Sequence, residues 1–336
     1  MWLYVLKRLG FLVVLALGVS VVVFIISRLL PTDPAVAVLG FDATPAMIEN
    51  LRREVGLDRP LHEQYIMYLG RLVRGDFGLS LVTRHPVLDD LLQRYPATIE
   101  LTVGSLLLAT IVGVPLGAVS ALRRGEPIDH VTRVASITAS SIPVFWLGLM
   151  LQVIFYGYLG WLPAAGRIGG EDAGIATAGI TGFLTVDAVL RGDLAALWGA
   201  IRHLVLPVIT LASLTMALVA RMTRSAVLDV LHEPYVTVAH AKGLANRVVI
   251  WSYILKNAGI PILTVIGLRF GGLLGGAVLT ETIFSWPGVG HYAVTAILNN
   301  DLYAVMGFMI TVTLLYALVN LLVDLSYPLL DPRVQL

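Results

Sequence analysis

Residues 10–30 have the sequence GFLVVLALGVSVVVFIISRLL, in which Arg28 is the only charged side chain. A run of about 20 apolar residues is what an α-helix needs to cross the hydrocarbon core of a bilayer. A secretory signal peptide is the competing interpretation, since Ala35-Val36-Ala37 resembles a cleavage site. However, the run is longer than a typical signal core, and Arg28 lies before that site. The stretch therefore predicts a first membrane-spanning helix.

Five further apolar runs follow the first one along the chain. The 336 residues are 57% hydrophobic and only 13% charged, which leaves too few charges to cover the surface of a soluble domain. The surplus apolar surface must therefore face lipid. The sequence predicts an all-α polytopic membrane protein with about six transmembrane helices, the remaining five at residues 98–122, 131–162, 203–219, 259–284 and 304–325.

The loops between these runs differ in their content of basic residues. Arg123, Arg124 and Arg133 flank one short loop, and a second loop, between residues 221 and 256, carries five Lys or Arg side chains. Residues 285–303 contain neither Lys nor Arg. Because basic loops are retained on the cytoplasmic side of a membrane, we expect both basic loops and both chain termini in the cytoplasm.

A long polar segment, residues 31–97, separates the first two crossings and is expected outside the cytoplasm. Apolar side chains recur at helical spacing from Met47 to Val55, after Pro60, and again over residues 87–92, where we expect a helix along the membrane interface. The segment is either a structural lid or a docking surface for a partner. The chain thus divides into residues 1–30, with the first crossing, the extracytoplasmic segment 31–97, and a membrane core 98–336 with the other five crossings.

The most informative cytoplasmic stretch is residues 233–244, with the sequence EPYVTVAHAKGL. Pro234 suits the first turn of a helix, and Glu233 complements the positive end of its dipole. Gly243 suits a helix stop, with Lys242 beside the negative end. A short helix is therefore predicted here, which is either a solvated connection or a surface that a partner approaches closely.

This stretch resembles the EAA-type coupling segment of ATP-binding-cassette (ABC) importer permeases, in particular those of the dipeptide, oligopeptide and nickel family. Pro234 and His240 depart from the family pattern, which has an acidic and a basic residue there. The stretch ETIFSWPG at residues 281–288 is also similar to the family, and it is highly specific. Residues 180–183 and 221–225 are closest to the B-type permease subunit of dipeptide transporters.

The resemblance implies a transmembrane permease subunit of an importer that moves di- or oligopeptides into the cytoplasm by alternating access. The implied partners are a second homologous permease, two cytoplasmic ATPase subunits that hold ATP and Mg, and an extracytoplasmic substrate-binding protein, all at a bacterial inner membrane. This chain would then be no enzyme and carry no cofactor. Nickel complexes, glutathione and oligosaccharides remain alternative substrates. The residues implied in ATPase coupling are Glu233, Tyr235, Ala239, Ala241, Lys242, Gly243 and Leu244.

Polar side chains inside the apolar runs are candidates for the translocation path. They are Ser140 and Ser141, Thr210 and Ser213, and Arg269. Hydroxyls also hold membrane helices together, so packing is the favoured explanation for the first four. An arginine at membrane depth usually faces a cavity or a partner. Arg269 could therefore bind a peptide carboxylate or form a salt bridge to the partner permease.

Other functional classes fit the composition less well. An ion-coupled secondary transporter usually carries buried acidic relays, whereas the crossings contain few acids beyond Glu100, Glu281 and Asp324 near their ends. The net charge of +1 disfavours nucleic-acid binding. Cysteine is absent and the seven histidines show no metal-binding spacing. No G-x-x-x-x-G-K-[ST] phosphate loop is present, so an ATPase activity in this chain is not expected.

Overall fold

A computed structural model describes residues 2–29, 44–56, 58–168 and 180–330 of the chain, and these residues are mostly helical. The first part of the predicted extracytoplasmic segment, residues 31–43, lies outside the described residues. The helices are α1 (Trp2–Leu29), α2 (Pro45–Val55), α3 (Leu61–Val73), α4 (Val87–Leu122), α5 (Pro127–Ser141), α6 (Val144–Leu151), α7 (Leu184–Arg191), α8 (Leu194–Leu231), α9 (Pro234–Ala241), α10 (Asn246–Val248), α11 (Lys256–Ile283), α12 (Val289–Leu298) and α13 (Leu302–Leu330).

Membrane-spanning length is reached by five helical stretches within the described residues. A sixth span is present if α5 and α6, with the π-helical turn Gln152–Tyr158 that continues α6, are counted as one bent crossing. The predicted all-α polytopic membrane fold is therefore confirmed. The five continuous stretches are Leu6–Arg28, Val87–Leu122, Leu194–Leu231, Asn246–Ile283 and Leu302–Val323.

The third predicted crossing, residues 131–162, differs from the expectation because it is broken in the middle. The axes of its two halves meet at an angle of 99°. Pro143 follows Ile142, whose backbone is extended at φ −80° and ψ 126°. A proline ring disfavours helical geometry in the preceding residue, so the helix ends before Pro143 and restarts after it.

One compact unit contains the described residues up to Pro96 together with Gly288–Leu318. Its core is formed by Val87, Leu91, Tyr292 and neighbouring apolar side chains. Helices α2 and α3 form where the amphipathic pattern predicts them. The stretch 87–92 is not a separate interfacial helix, because α4 runs on through Pro96 into the second crossing. Proline removes one hydrogen bond there without ending this helix.

The second compact unit contains Ala97–Pro287 and the chain from Val319 onward. Its helices approach one another closely where glycine removes the side chain. A Cβ on Gly113 would lie 2.9 Å from the carbonyl oxygen of Met216, and a Cβ on Gly117 would meet the carbonyl oxygen of Ala220. Helix α4 therefore packs directly against the backbone of α8. Such contacts between small residues are typical of helix packing in membranes.

Candidate functional site

Helix α9, Pro234–Ala241, forms the centre of the predicted coupling segment. Pro234 lies in its first turn, and Glu233 occupies the N-cap position with extended backbone. At the other end, Gly243 has φ +72°, its N–H donates to the carbonyl of His240 at 2.9 Å, and the N–H of Leu244 donates to that of Ala239 at 3.3 Å. These two bonds are a Schellman motif, in which glycine adopts the left-handed conformation that ends the helix.

The two faces of α9 have different environments. Val236 and Ala239 are each only 2% exposed, and they pack in a core with Ala121 of α4, Val227 of α8 and Ile254 of the π-helical turn Val249–Leu255. A displacement of α9 therefore cannot occur without a displacement of the helices on which it rests. The remaining coupling residues lie as follows: Leu244 is half-buried, and Glu233, Tyr235, Ala241, Lys242 and Gly243 are exposed.

Near the same end of α8, an ion pair joins α8 to α5. Arg224 donates from Nε to Asp129 Oδ1 at 2.7 Å and from Nη2 to Oδ2 at 3.0 Å. The carboxylate also accepts from Ser120 Oγ at 2.6 Å and from the Gly125 N–H at 3.1 Å. Asp129 is 1% exposed. All of these bonds converge on one buried acid, which fixes the turn between α4 and α5 against α8.

The sequence analysis did not identify this pair. In the sequence, Arg224 is one of five basic residues of a loop and part of the stretch 221–225, and its partner Asp129 lies 95 positions away. An open pocket of about 540 Å³ lies beside the pair, and its lining includes the cationic side chains of Arg124 and Arg133. The lining also includes Asp229, so the pocket carries charges of both signs.

A second buried ion pair lies in the same unit. Arg167 donates from Nη2 and Nε to Glu100 Oε2 at 2.5 and 3.1 Å. The other carboxylate oxygen accepts from the N–H of Thr185 at 2.8 Å and from its hydroxyl at 2.5 Å. The exposed fractions of the Arg167 and Glu100 side chains are 12% and 6%. The pair therefore holds the start of α7 and the loop containing Arg167 against α4.

Asp187 organises the turn before α7 in a similar way. Its carboxylate accepts from the N–H groups of Thr181 and Gly182, at 2.9 and 3.1 Å, and from the Thr181 hydroxyl at 2.7 Å. Burial raises the pKa of Asp187, but these hydrogen bonds outweigh it and hold the pKa below its ordinary value. The carboxylate is therefore ionised and keeps the turn in one conformation.

The specific stretch ETIFSWPG begins and ends in buried contacts. Glu281 is 0% exposed and accepts from Thr98 Oγ1 at 2.6 Å. Trp286 is also 0% exposed, and its indole N–H donates to the carbonyl of Ala97 at 2.9 Å. Both contacts are made to the membrane part of α4. The stretch therefore acts as a structural fastening between the end of α11 and α4.

The four hydroxyls proposed for the translocation path all donate hydrogen bonds to backbone carbonyls of their own helices. Ser140 and Ser141 both donate to the carbonyl of Ile137, at 2.8 and 2.9 Å. Thr210 donates to the carbonyl of Leu206 and Ser213 to that of Thr210, both at 2.8 Å. Thr210 and Ser213 are buried, at 0% and 8% exposure, so within this chain they face the core.

Arg269 differs from these hydroxyls in its bonding. Its side chain is exposed on α11, and it makes no hydrogen bond or ion pair within the described part of the chain. The described residues also contain no group of three or more His, Asp or Glu side chains that could hold a metal ion. Arg269 is thus a charged path candidate whose hydrogen-bonding groups are available to a group from outside the chain, whereas the exposed Ser141 already donates to its own helix.

With five or six membrane-spanning stretches among its described residues, the chain belongs to the class of all-α polytopic membrane proteins. Residues 113–336 match the family described as "binding-protein-dependent transport system inner membrane component", and residues 1–102 match the N-terminal family of the same membrane components. The chain belongs to this family of transport-system membrane subunits.

Curated relatives are similar to this chain from end to end. A protein of Escherichia coli K12 described as probable D,D-dipeptide transport system permease protein DdpB is 46% identical over 99% of this chain and 97% of its own length. The dipeptide transport system permease protein DppB of Alkalihalophilus pseudofirmus is 42% identical over 99% of both chains.

A solved structure shares the fold. A chain of the inward-facing MetNI methionine ABC transporter matches with a TM-score of 0.52 and 15% identity, over 72% of this chain and 96% of that chain. At this level of identity the match concerns the fold alone. It covers the greater part of this chain.

Proposed function

We propose that this chain is a permease subunit of an ATP-driven importer and that it carries di- or oligopeptides across the inner membrane. The end-to-end similarity to dipeptide permeases, 46% and 42% identical over 99% of this chain, carries the proposal. Similarity over the full length favours the same transport function in this chain as in those relatives. The exposed face of α9, on a base packed into α4 and α8, supports a mechanical link to a separate motor.

The proposed mechanism assigns one role to each face of α9. ATPase subunits in the cytoplasm contact the exposed side, at Tyr235, Ala241 and Gly243. The buried side, Val236 and Ala239, transmits the displacement to α4 and α8 because close-packed interfaces move as units. Closure of the ATPases on ATP then converts the permease pair from inward-facing to outward-facing, which is alternating access. ATP and Mg are held by those partners.

We infer that the extracytoplasmic face receives the substrate-binding protein. Support comes from a buried acid in the first unit, Asp301, which is 0% exposed. Its Oδ2 accepts from Ser80 Oγ at 2.5 Å and from the N–H of Leu81 at 2.7 Å. Residues 79–86 are thereby fastened to the turn before α13. Because this surface is already held in one conformation, a partner can bind to it without a further loss of conformational entropy in these residues.

The proposed orientation is tested by cysteine labelling in spheroplasts, without background because the chain has no cysteine. Asn246 and Asn299 are both exposed. A membrane-impermeant maleimide should label Asn299→Cys in intact spheroplasts, and it should label Asn246→Cys only after the membrane is opened. The distribution of basic loops requires this result. Labelling of both positions from the same side would contradict the six-crossing orientation.

The peptide assignment is tested by growth. A strain that lacks one amino acid pathway and other peptide importers receives that amino acid either free or within a dipeptide. Deletion of this chain should abolish growth on the dipeptide and leave growth on the free amino acid unchanged. Both L,L- and D,D-dipeptides should be supplied, because one relative is described as a probable D,D-dipeptide permease and another simply as a dipeptide permease. Unchanged dipeptide growth, with no dipeptide uptake lost, would contradict the proposal.

The alternative function, a proton-coupled secondary carrier, has no specific support in the described residues. Glu100 and Asp129 are each held by an arginine and by further donors, and Glu281 accepts from Thr98. Acids with such fixed partners stabilise helix contacts and are poor candidates for a relay that must release its proton. The side chain of Asp324 lies outside the description.

A further inference from the structure

Arg269 occupies a costly position in the membrane. It is the only charged residue between positions 259 and 280. At 1.5 Å per residue, it lies about 15 Å along the helix from Gly259, which is roughly the middle of a 30 Å hydrocarbon layer. An arginine in contact with lipid at that depth costs about 2.5–3.5 kcal/mol even on the mildest scales. A partner or water must therefore offset the cost.

The packing of α11 shows to which side Arg269 is directed. One half of the helix is buried in the chain, including Gly271, Leu274 and Ala277. Arg269 is exposed at the edge of that half, since Leu273, four residues further on, is buried. Its neighbour at position i+3 is Gly272, which is exposed, and a Cβ added there would meet nothing within 4 Å. On the side of Gly272, the helix therefore places no side chain in the way of a ligand that approaches the guanidinium.

Two other arginines of the second unit form ion pairs within it. Arg167 binds Glu100 and Arg224 binds Asp129. Arg269 makes no such bond in the described part of the chain. The chain thus neutralises its structural arginines internally and leaves Arg269 for a group that arrives from outside. A guanidinium presents a planar fork that binds carboxylates through two parallel hydrogen bonds.

We propose that Arg269 binds the C-terminal carboxylate of the peptide during its passage through the permease. The inference rests on the proposed function and names the group that is recognised. Every linear peptide with a free C-terminus carries this carboxylate, whatever its side chains. A single arginine can therefore accept peptides of many sequences, while their selection is left to the binding protein.

The test uses the whole transporter, with its partner permease, ATPases and binding protein, in proteoliposomes containing ATP. The probes are a radiolabelled alanyl-alanine dipeptide and its C-terminal amide, each supplied at saturation. For each probe, uptake by a variant is divided by wild-type uptake, so that differences in affinity for the binding protein cancel. The variants are Arg269→Gln, Arg269→Lys and the control Leu268→Gln, whose leucine is 56% exposed on the same helix.

Arg269→Gln should lower uptake of the free acid by roughly tenfold, since a hydrogen bond to a charged group is lost. Uptake of the amide and thermal stability of the complex in detergent should remain at wild-type values. Arg269→Lys should restore part of the free-acid uptake, and Leu268→Gln should affect neither probe.

Two results would overturn the inference. Equal loss for both probes together with a destabilised complex would show that Arg269 pairs with an acid of the partner permease. Wild-type uptake of both probes by Arg269→Gln would show that it binds no substrate. In both cases the wild-type complex still imports peptide, so the proposed function stands. A wild-type complex that imports neither probe would instead contradict the proposed function and the inference with it.

Discussion

Replacement of Gly243 by valine is expected to abolish import while the complex still assembles in the membrane. Gly243 has φ +72°, a conformation that β-branched residues avoid. Backbone strain of this kind costs about 1–3 kcal/mol. A Cβ at this position meets no atom of the chain within 4 Å, so the internal packing of α9 is preserved. The change acts on the shape of the exposed end of α9 and on whatever docks there.

A second glycine provides a matched control for this variant. Gly192 follows α7, which has eight residues like α9, and has φ +69° with no atom within 4 Å of an added Cβ. Gly192→Val therefore introduces the same kind of strain outside the coupling segment. We expect ATP-driven uptake in proteoliposomes to fall at least roughly tenfold for Gly243→Val and much less for Gly192→Val. Uptake by Gly243→Val at the wild-type rate would contradict the assignment of α9 as the link to the ATPase.

The ion pair between Arg167 and Glu100 is expected to stabilise the fold strongly. Arg167→Gln leaves the Glu100 carboxylate, 6% exposed, without its cation. Removal of one partner of a buried pair typically costs about 3–5 kcal/mol. Thermal unfolding of the purified chain in detergent, followed by tryptophan fluorescence, should therefore show a marked decrease in Tm.

The control for this prediction is a solvent-exposed pair in the same unit. Arg123 and Glu126 lie 4.0 Å apart with 62% and 57% of their side chains exposed, and exposed pairs contribute about 0–1 kcal/mol. Arg123→Gln should therefore leave Tm nearly unchanged. The double variant Arg167→Gln with Glu100→Gln should recover part of the loss, because no unpaired charge remains. Equal Tm values for Arg167→Gln and Arg123→Gln would refute the structural role.

The sequence predicts the crossings well because each is a local feature. The apolar run 203–219 lies inside α8, Leu194–Leu231, which extends well beyond it at both ends. The run marks the part of the helix in contact with apolar surroundings, whereas the helix itself begins where the Asp193 carboxylate accepts from the Ala196 N–H. The position of a helix end thus depends on the capping residues, whereas the extent of an apolar run depends on the part of the helix that lies in the bilayer.

The coupling segment is predicted more closely than the rest of the candidate site. Pro234 and Gly243 act on their own backbone, so their effect on the ends of α9 is visible in the sequence. The burial of the Ala239 side chain, in contrast, is not visible in the sequence. It depends on the position of α4 and α8 under the helix, which no local pattern encodes.

The buried ion pairs could not be predicted for the same reason. Arg167 and Glu100 are 67 positions apart, and Arg224 and Asp129 are 95 apart. Such pairs form only when separate segments have been brought together, and the sequence around each residue does not indicate its partner. The bend before Pro143 can be predicted in part, because the proline predicts a break in the helix but not the angle between its two halves.

The central claim is that this chain transports peptide only as a subunit driven by a separate ATPase. The most direct measurement compares dipeptide uptake by proteoliposomes that hold either the complete complex or this chain alone. With the complete complex, uptake should require ATP on the ATPase side and should persist when proton and sodium gradients are collapsed. This chain alone should give no uptake under either condition. Gradient-driven uptake by the isolated chain would contradict the claim and identify a secondary carrier instead.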